Sequence, residues 1–594
     1  MNTTINNRIA ALRELMAREH LAAFIFPSTD PHNGEYVPDH WKGREWISGF
    51  NGSAGTVVVT MNSAALWTDS RYFIAAEEQL RGTEYVLMRE RMPETPSIAQ
   101  WLGSQLKDGG LTEVGVDGTV CAAAAVQSLI GELREEGGLT LRTNLDPLEQ
   151  IWTDRPPIPQ DKVVVQPLEY AGEPSHDKLA RIRKALRRKH ADGMLVAALD
   201  DIAWTLNLRG SDVHCNPVFV SYLLISSDKA TLYINKEKLT PEVTDYLRAE
   251  GVATDDYANV RKGLKDYFEY NILLDPNEIN YTLFKAVERP VVAEASPIPS
   301  MKCVKNEREI AGFREAMLRD GIAMVKFLHW LKPAVEAGGQ TELTIDRKLT
   351  ELRAAQPLFK DISFDTIAAY EEHGAIVHYE ATPETDVPLK AEGLLLVDSG
   401  AQFMDGTTDI TRTIALGPVT DEQRRVYTLV LKGHIQLELL KFPQNASGTQ
   451  LDALARKDLW AAGMNYMHGT GHGVGSYLSV HEGPHQIRME YKPEPLRAGM
   501  TVTDEPGLYL AGRFGVRIEN TLLIVPYTTT EFGEFLQFEP LTLCPIDKAP
   551  LVVEMLTDEE RKWLNDYHET VCNRLAPHLT PDEQAWLREA TAAV

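Results

Sequence analysis

The sequence predicts an α+β protein: a C-terminal domain with an antiparallel sheet flanked by helices, preceded by two related α/β domains. Three observations predict it. The chain has 594 residues, more than one hydrophobic core supports, so about three domains are expected. One order of elements occurs twice before residue 300: helix, strand, Trp-containing Gly turn, strand, strand. From about residue 302 the texture changes to long amphipathic helices and alternating strands.

Taken in order, residues 5–20 put Ile9, Leu12, Leu15 and Met16 at helical spacing, and 21–27 is a short apolar strand. Residues 46–55 read as a Gly-rich turn leading into β-branched strands at 56–60 and 65–72. The Pro-dense segment 153–159 reads as a linker. The plan then repeats, with a basic helix at 178–189, a strand at 193–197, a Trp-containing turn at 202–212 and strands at 218–225 and 230–234. A second linker falls at 297–299, so the expected domains are 1–157, 158–300 and 301–594. In the third, 306–331 and 341–354 read as helices, followed by strand-forming runs at 362–369, 375–379, 393–398 and 407–415. Helices near 420–441 and 449–462 come next, then strands near 500–503 and 515–525. The charged helical tail, 557–594, reads as a solvated face, with Trp563 and Trp586 available to pack on the body.

Composition narrows the classes of function. The residues are 43% hydrophobic and 24% charged, as in ordinary globular proteins. A net charge of −25 argues against nucleic acid and against an anionic membrane surface, since both attract basic patches. No apolar run reaches the roughly 18–20 residues needed to span a bilayer. The first residues are polar and lack the apolar core of a signal peptide. Cys121, Cys215, Cys303, Cys544 and Cys572 are scattered, with no C-x-x-C pair, which fits a reducing compartment. The expected location is cytoplasmic.

The chemistry gathers in the third domain. The apolar run 394–397 ends on Asp398, a Gly-containing turn follows, and the next run carries Asp409. That is a hairpin delivering two carboxylates, and buried carboxylates are costly unless paired or bound to a cation. Further on lie His472 among four glycines, Glu505 at the end of a strand before Pro506-Gly507, and Glu519 in a β-branched run. Alone, Asp398 and Asp409 fit a solvated hairpin or a salt bridge. In series, four carboxylates and one imidazole make a hard, mostly oxygen site suited to two divalent ions. Two such ions, roughly 3.5–4 Å apart, can share a hydroxide for metal-assisted hydrolysis.

In order and local context, Asp398 in VDSG, Asp409 in DGTTDITRT, His472 in HGTGHGVG, Glu505 in TDEPG and Glu519 in RIEN resemble the five metal ligands of the pita-bread metallopeptidases. That family includes methionine aminopeptidase, prolidase and aminopeptidase P. The length and the phrases WISGFNGSAGTVVV, NLRGSD and NPVF resemble its three-domain, cytosolic aminopeptidase P group, over essentially residues 1–590. The resemblance implies creatinase-like domains at 1–157 and 158–300, and a pita-bread catalytic domain with a helical extension at 301–594. It implies a metallo-exopeptidase, a hydrolase of the Xaa-Pro aminopeptidase kind. Such an enzyme releases the N-terminal residue from peptides with proline second, by attack of a metal-bridging hydroxide on the Xaa-Pro bond.

By the same resemblance two divalent ions, Mn²⁺ first and Zn²⁺ or Co²⁺ as substitutes, are held by Asp398, Asp409, His472, Glu505 and Glu519. Asp409 and Glu519 match the bridging pair, and Glu505 matches the glutamate that also serves as general base. His378 and His481 match histidines that contact the scissile peptide and steady the tetrahedral intermediate. His468 matches one near the proline pocket, and Arg517 and Tyr509 match residues that orient Glu505 and the attacking water. A homodimer is implied as well. His373 and His485 read as structural histidines, and Arg44, Asp69 and Asp212 as structural or interface residues of the first two domains. Proline in second place removes the scissile N–H and fixes φ, so a site for it must accept a rigid tertiary amide. Two other readings are a prolidase limited to Xaa-Pro dipeptides and an inactive pita-bread binding protein. The extra middle domain argues against the first, and the complete ligand series against the second.

Overall fold

The computed structural model describes residues 3–107 and 110–594. The chain divides into two compact units, Met1–Gln166 with Glu173–Ile298, and Pro167–Gly172 with Pro299–Val594.

The first unit holds two six-stranded sheets of one plan. The order in the first is Tyr85–Arg89, Ala64–Thr68, Thr56–Thr60, Ala23–Phe26, Glu113–Val116, Thr140–Arg142. The second runs Val252–Asp255, Ala230–Ile234, Ser221–Ile225, Met194–Val196, Ile272–Leu274, Val291–Ala293. Along each, one parallel pair is followed by two antiparallel pairs and two parallel pairs. The repeat in the sequence is thus one topology used twice. The Trp-bearing segments differ from expectation: Gly43–Ser48 and Leu199–Leu206 are short helices rather than turns. Each is closed by a left-handed residue, Gly49 at φ 77° and Asn207 at φ 49°, which ends the helix and points the chain into the next strand. Arg44 is buried and donates to the carbonyls of Phe50 and Gly52, while Asp212 is paired with buried Lys238 and Asp69 with Arg71.

The second unit opens with the helix Glu307–Ala337, capped by Asn306 and Glu309 in a reciprocal box. It runs past its expected end at 331, through Pro333, to Gly338. Proline there forfeits one backbone hydrogen bond, but Leu331 and Val335 stay buried against Ile345 and Leu349, and that packing offsets the loss. The expected strand at 362–369 is split. Phe359–Ile362 pairs with Ala401–Phe403, and Ile367–Tyr370 pairs with Leu394–Ser399. Residues 375–379 form no strand; a 3₁₀ turn, Glu371–Ala375, leads into them.

Leu394–Ser399 lies between Ile367–Tyr370 and Ile410–Ala415, antiparallel to both, and every residue of it is buried. A four-stranded sheet orders Lys441–Pro443, Gly533–Pro540, Asn520–Thr530 and Thr501–Asp504. Helices Asp421–Glu438 and Gly448–Ala461 pack behind these sheets. The tail helix Asp558–Leu575 buries Leu564, Tyr567, Val571 and Leu575 in the same core, and Trp563 and Trp586 pack against it. Its acidic face is outside and its apolar stripe inside, so the tail is part of the body. Among the described residues no helix is long and apolar enough to cross a membrane.

Candidate active site

The two-strand hairpin forms as its sequence suggests, with Asp398 opposite Thr411 in the Leu394–Ser399 and Ile410–Ala415 pair. Asp409 sits just before the second strand rather than within it. Glu519 falls in the break between Phe514–Arg517 and Asn520–Thr530. Its N–H donates to the carbonyl of Thr411 at 3.0 Å, and Thr521 Oγ1 donates to the carbonyl of Asp409 at 3.0 Å. These bonds lock the hairpin to the strand carrying Glu519. Glu505 follows Thr501–Asp504 directly, and its N–H donates to the carbonyl of Thr470 at 2.8 Å. That bond brings in the glycine-rich loop with His472. Gly471 is required by close approach: a Cβ there would lie 1.9 Å from the carbonyl oxygen of Thr503.

The result is a convergence of acids. Ligand-capable atoms of Asp409, His472 and Glu519 all lie within 4.8 Å of one another. His472 Nε2 is 3.5 Å from Asp409 Oδ2 and 3.5 Å from Glu505 Oε1. His472 Nδ1 donates to the carbonyl of Gly473 at 2.9 Å, so Nε2 is the ring nitrogen that faces the carboxylates. Among the described residues, Asp398 Oδ1 is buried with no hydrogen-bond partner. Burial, and then the charge of Asp398, raises Asp409 well above the usual carboxylate range; burial and then Asp409 do the same to Glu519. Burial pushes Glu505 up to about 8, against the pull of Arg517. Acids crowded this way repel one another unless cations sit among them, and this donor set fits divalent ions.

The other expected residues gather here in part. Arg517 is buried and donates to Asp398 Oδ2 at 2.7 Å, to Tyr509 Oη at 2.7 Å and to the carbonyl of Val377 at 3.3 Å. Its direct acidic partner is therefore Asp398 rather than Glu505; its charge reaches Glu505 through space. His468 Nδ1 donates to the carbonyl of Gly469 at 2.7 Å, so its Nε2 accepts from Tyr509 Oη at 2.8 Å. The His481 ring packs edge-on to His472 with centroids 4.5 Å apart, and it is near enough to lower both Asp409 and Glu505 electrostatically. His378 follows Val377, the residue anchored on Arg517.

Several supporting residues carry weak sequence signals. Thr411 Oγ1 donates to Glu519 Oε2 at 2.7 Å. Arg456, wholly buried, pairs with Asp452 at 2.6 Å and donates to the carbonyls of Tyr466 and His468, fixing the loop before His472. Behind the ligand strands lies a second buried group. His434 Nε2 is 3.2 Å from Glu438, and its Nδ1 donates to the carbonyl of Asp504 at 3.2 Å. Burial lowers His434 to about 4 and raises Glu438 to about 7. Asn520 joins Glu438 to Arg412 there, and Asp504 and Asn520 adjoin Glu505 and Glu519. A histidine and a glutamate four apart on one amphipathic helix were the available sequence signal.

Four carboxylates and an imidazole around one buried pocket define a class of site, one built for divalent cations. Comparison with known proteins agrees. Residues 311–526 match the model of metallopeptidase family M24 and 534–594 its C-terminal region; 8–143 and 154–309 match Creatinase/Prolidase N-terminal domain models. A probable Xaa-Pro aminopeptidase P of Laccaria bicolor is 39% identical, covering 99% of this chain and 93% of that protein. The Xaa-Pro aminopeptidase 1 of Dictyostelium discoideum is 38% identical, covering 96% and 93%. The crystal structure of an X-prolyl aminopeptidase from Caenorhabditis elegans, described as a cytosolic enzyme with a di-nuclear active site, superposes with TM-score 0.95 at 34% identity and covers 100% of both chains. The chain belongs to metallopeptidase family M24, with a pita-bread catalytic domain preceded by creatinase-type α/β domains.

Proposed function

We propose that this protein is a metal-dependent aminopeptidase that releases the N-terminal residue from peptides with proline in second position. The convergence of Asp398, Asp409, His472, Glu505 and Glu519 carries the reading, and it is supported by the Xaa-Pro aminopeptidases that match over the full chain. In this reading those five residues would hold two divalent ions, Mn²⁺ by preference for a hard oxygen-rich set. The ions, when bound, neutralise the crowded carboxylates and make water nucleophilic near neutral pH.

The chain's own residues do the rest. Glu505 is the general base: it takes the proton of the attacking water and passes it to the departing proline nitrogen. His481 and His378 donate to the oxygen that becomes negative as the carbonyl turns tetrahedral. Arg517 holds Asp398 and Tyr509 in place, and the Tyr509 hydroxyl fixes His468, whose ring lines the pocket for proline. A tertiary amide lacks the N–H that many peptidases grip, so recognition falls to the ring itself.

The working division is a creatinase-like domain at 1–157, a second at 158–300 and the catalytic domain at 301–594. We place the enzyme in the cytoplasm as a homodimer, acting on peptides and not on nucleic acid or membranes. A dipeptidase reading is less favoured: an Xaa-Pro dipeptidase from Bacillus anthracis, 24% identical, spans its own length (99%) on only 63% of this chain. Assays of Xaa-Pro-Xaa tripeptides against Xaa-Pro dipeptides, with and without Mn²⁺, test the proposal. Mn²⁺-dependent release of the first residue from tripeptides supports it, and hydrolysis confined to dipeptides overturns it.

A further inference from the structure

A buried carboxylate away from the metal ligands is left unused by the mechanism above. Glu342 begins the helix Glu342–Ala354, behind the N-cap Thr341, and is fully buried. The positive end of the helix favours its charge. All three side-chain-directed donors come from one segment. The backbone N–H of Tyr370 donates to Oε1 at 2.8 Å. His373 Nδ1 lies 2.9 Å from Oε1 and 3.0 Å from Oε2, and Tyr379 Oη donates to Oε2 at 2.7 Å. The rings of His373 and Tyr379 stack on one another with centroids 4.4 Å apart.

That segment contains His378. On one side of it, the carbonyl of Val377 accepts from Arg517, the residue that also grips Asp398. On the other side, Tyr379 is tied to Glu342. No regular strand runs through this segment; the 3₁₀ turn Glu371–Ala375 leads into it, and the two anchors flank His378. The turn also packs backbone to backbone on the strand carrying Arg517: a Cβ on Gly515 would lie 1.7 Å from the carbonyl oxygen of Gly374. A loop pinned at both flanks of one residue has that residue's position set by the pins.

We infer that Glu342 is the positioning residue for His378, gathering Tyr370, His373 and Tyr379 so that the imidazole is presented to the substrate carbonyl. The inference rests on the reading of His378 as a residue that contacts the scissile peptide. Glu342 touches neither substrate nor metal ligands and acts only through the loop.

The test is a double-mutant cycle on the Mn²⁺-loaded full chain with a tripeptide substrate, reading kcat, KM, metal content and thermal melting. His378→Ala lowers kcat by about 100-fold. Glu342→Ala lowers kcat by about tenfold with metal content unchanged, and Glu342→Gln, which can still accept, recovers most of that loss. In the His378→Ala background, Glu342→Ala costs less than about twofold more, because its effect passes through the missing ring. Tyr379→Phe, which removes a single hydroxyl, gives the same non-additive pattern if Glu342→Ala does not fold. If His378→Ala lowers kcat while the Glu342 or Tyr379 change multiplies with it, the positioning role is overturned and the reading of His378 stands. If His378→Ala leaves kcat unchanged, the reading of His378 fails and this inference fails with it.

Discussion

His472 gives its Nδ1 hydrogen to the carbonyl oxygen of Gly473, 2.9 Å away, and so turns Nε2 toward Asp409 and Glu505. A ring nitrogen facing two carboxylates is a ligand arrangement. His472→Ala should therefore remove a metal ligand and leave the fold intact, since the backbone N–H of residue 472 that donates to Thr503 Oγ1 is kept. Metal counted per chain after dialysis should fall by about one ion, and kcat should fall by roughly 100-fold or more. Full metal content with full activity would show that the site lies elsewhere.

Asp409 separates activity from stability. Its carboxyl is buried among Asp398, Glu505 and Glu519 and raised well above the ordinary range by burial and by Asp398. Asp409→Asn should abolish most activity in Mn²⁺. In EDTA the same variant should melt about 2 °C or more above the metal-free parent, because the neutral amide escapes the cost of keeping a charge among acids or of taking up a proton there. The parent itself should melt lower in EDTA than in excess Mn²⁺, since an ion bound only by the folded state stabilises it. Differential scanning calorimetry of both proteins in both buffers checks the four values; a metal-free Asp409→Asn variant less stable than its parent would contradict the repulsion.

Arg517 makes a fork that lysine cannot copy. Nε and Nη2 reach Asp398 at 3.1 and 2.7 Å, Nη1 reaches Tyr509, and Nη2 reaches Val377. Burial works against its charge, yet Tyr509 and Asp398 hold its pKa above the ordinary arginine value. Arg517→Lys keeps the charge and loses the geometry, so kcat should drop by about tenfold or more. Steady-state kinetics alongside metal analysis reads this directly. An unchanged kcat would show that charge alone suffices.

Acid stability should depend on His568. Its Nε2 accepts the N–H of Ile546 at 3.0 Å, which only a neutral ring can do. Burial lowers its pKa to about 3, and burial likewise lowers His485 to about 4. The folded pKa lies below the unfolded value of 6.5, so the unfolded state binds more protons between them. The associated stability is fully present above about pH 6.5 and is lost as pH falls toward 3. His568→Asn keeps an acceptor without a titration in this range, and should flatten the loss between pH 6.5 and 5 by about 2 kcal/mol. Urea unfolding at both pH values measures it; parallel slopes for parent and variant would refute it.

The sequence by itself determined the elements and the chemistry. Period-2 and period-3.6 patterning marked many of the strands and helices, and a repeated order of elements matched two sheets of one topology, while the Pro-dense segment 153–159 lies inside the compact unit Met1–Gln166 with Glu173–Ile298. The candidate ligands were legible because Asp398, Asp409, His472, Glu505 and Glu519 each stand in a local setting of strand end or glycine turn that short-range rules describe. Long-range geometry was decided only in three dimensions. The length of the first catalytic helix was missed because tertiary burial of Leu331 and Val335 outweighs the local cost of Pro333. The segment 375–379 has a strand's composition, yet Glu342, Arg517 and Gly515, all distant in sequence, hold it as a loop. Arg517 stands two residues before Glu519 in sequence but bonds to Asp398 on a strand of another sheet, a choice no local pattern records. Local spacing fixes which side chains a segment can offer, while partners far apart along the chain meet only when burial of apolar surface brings their strands together.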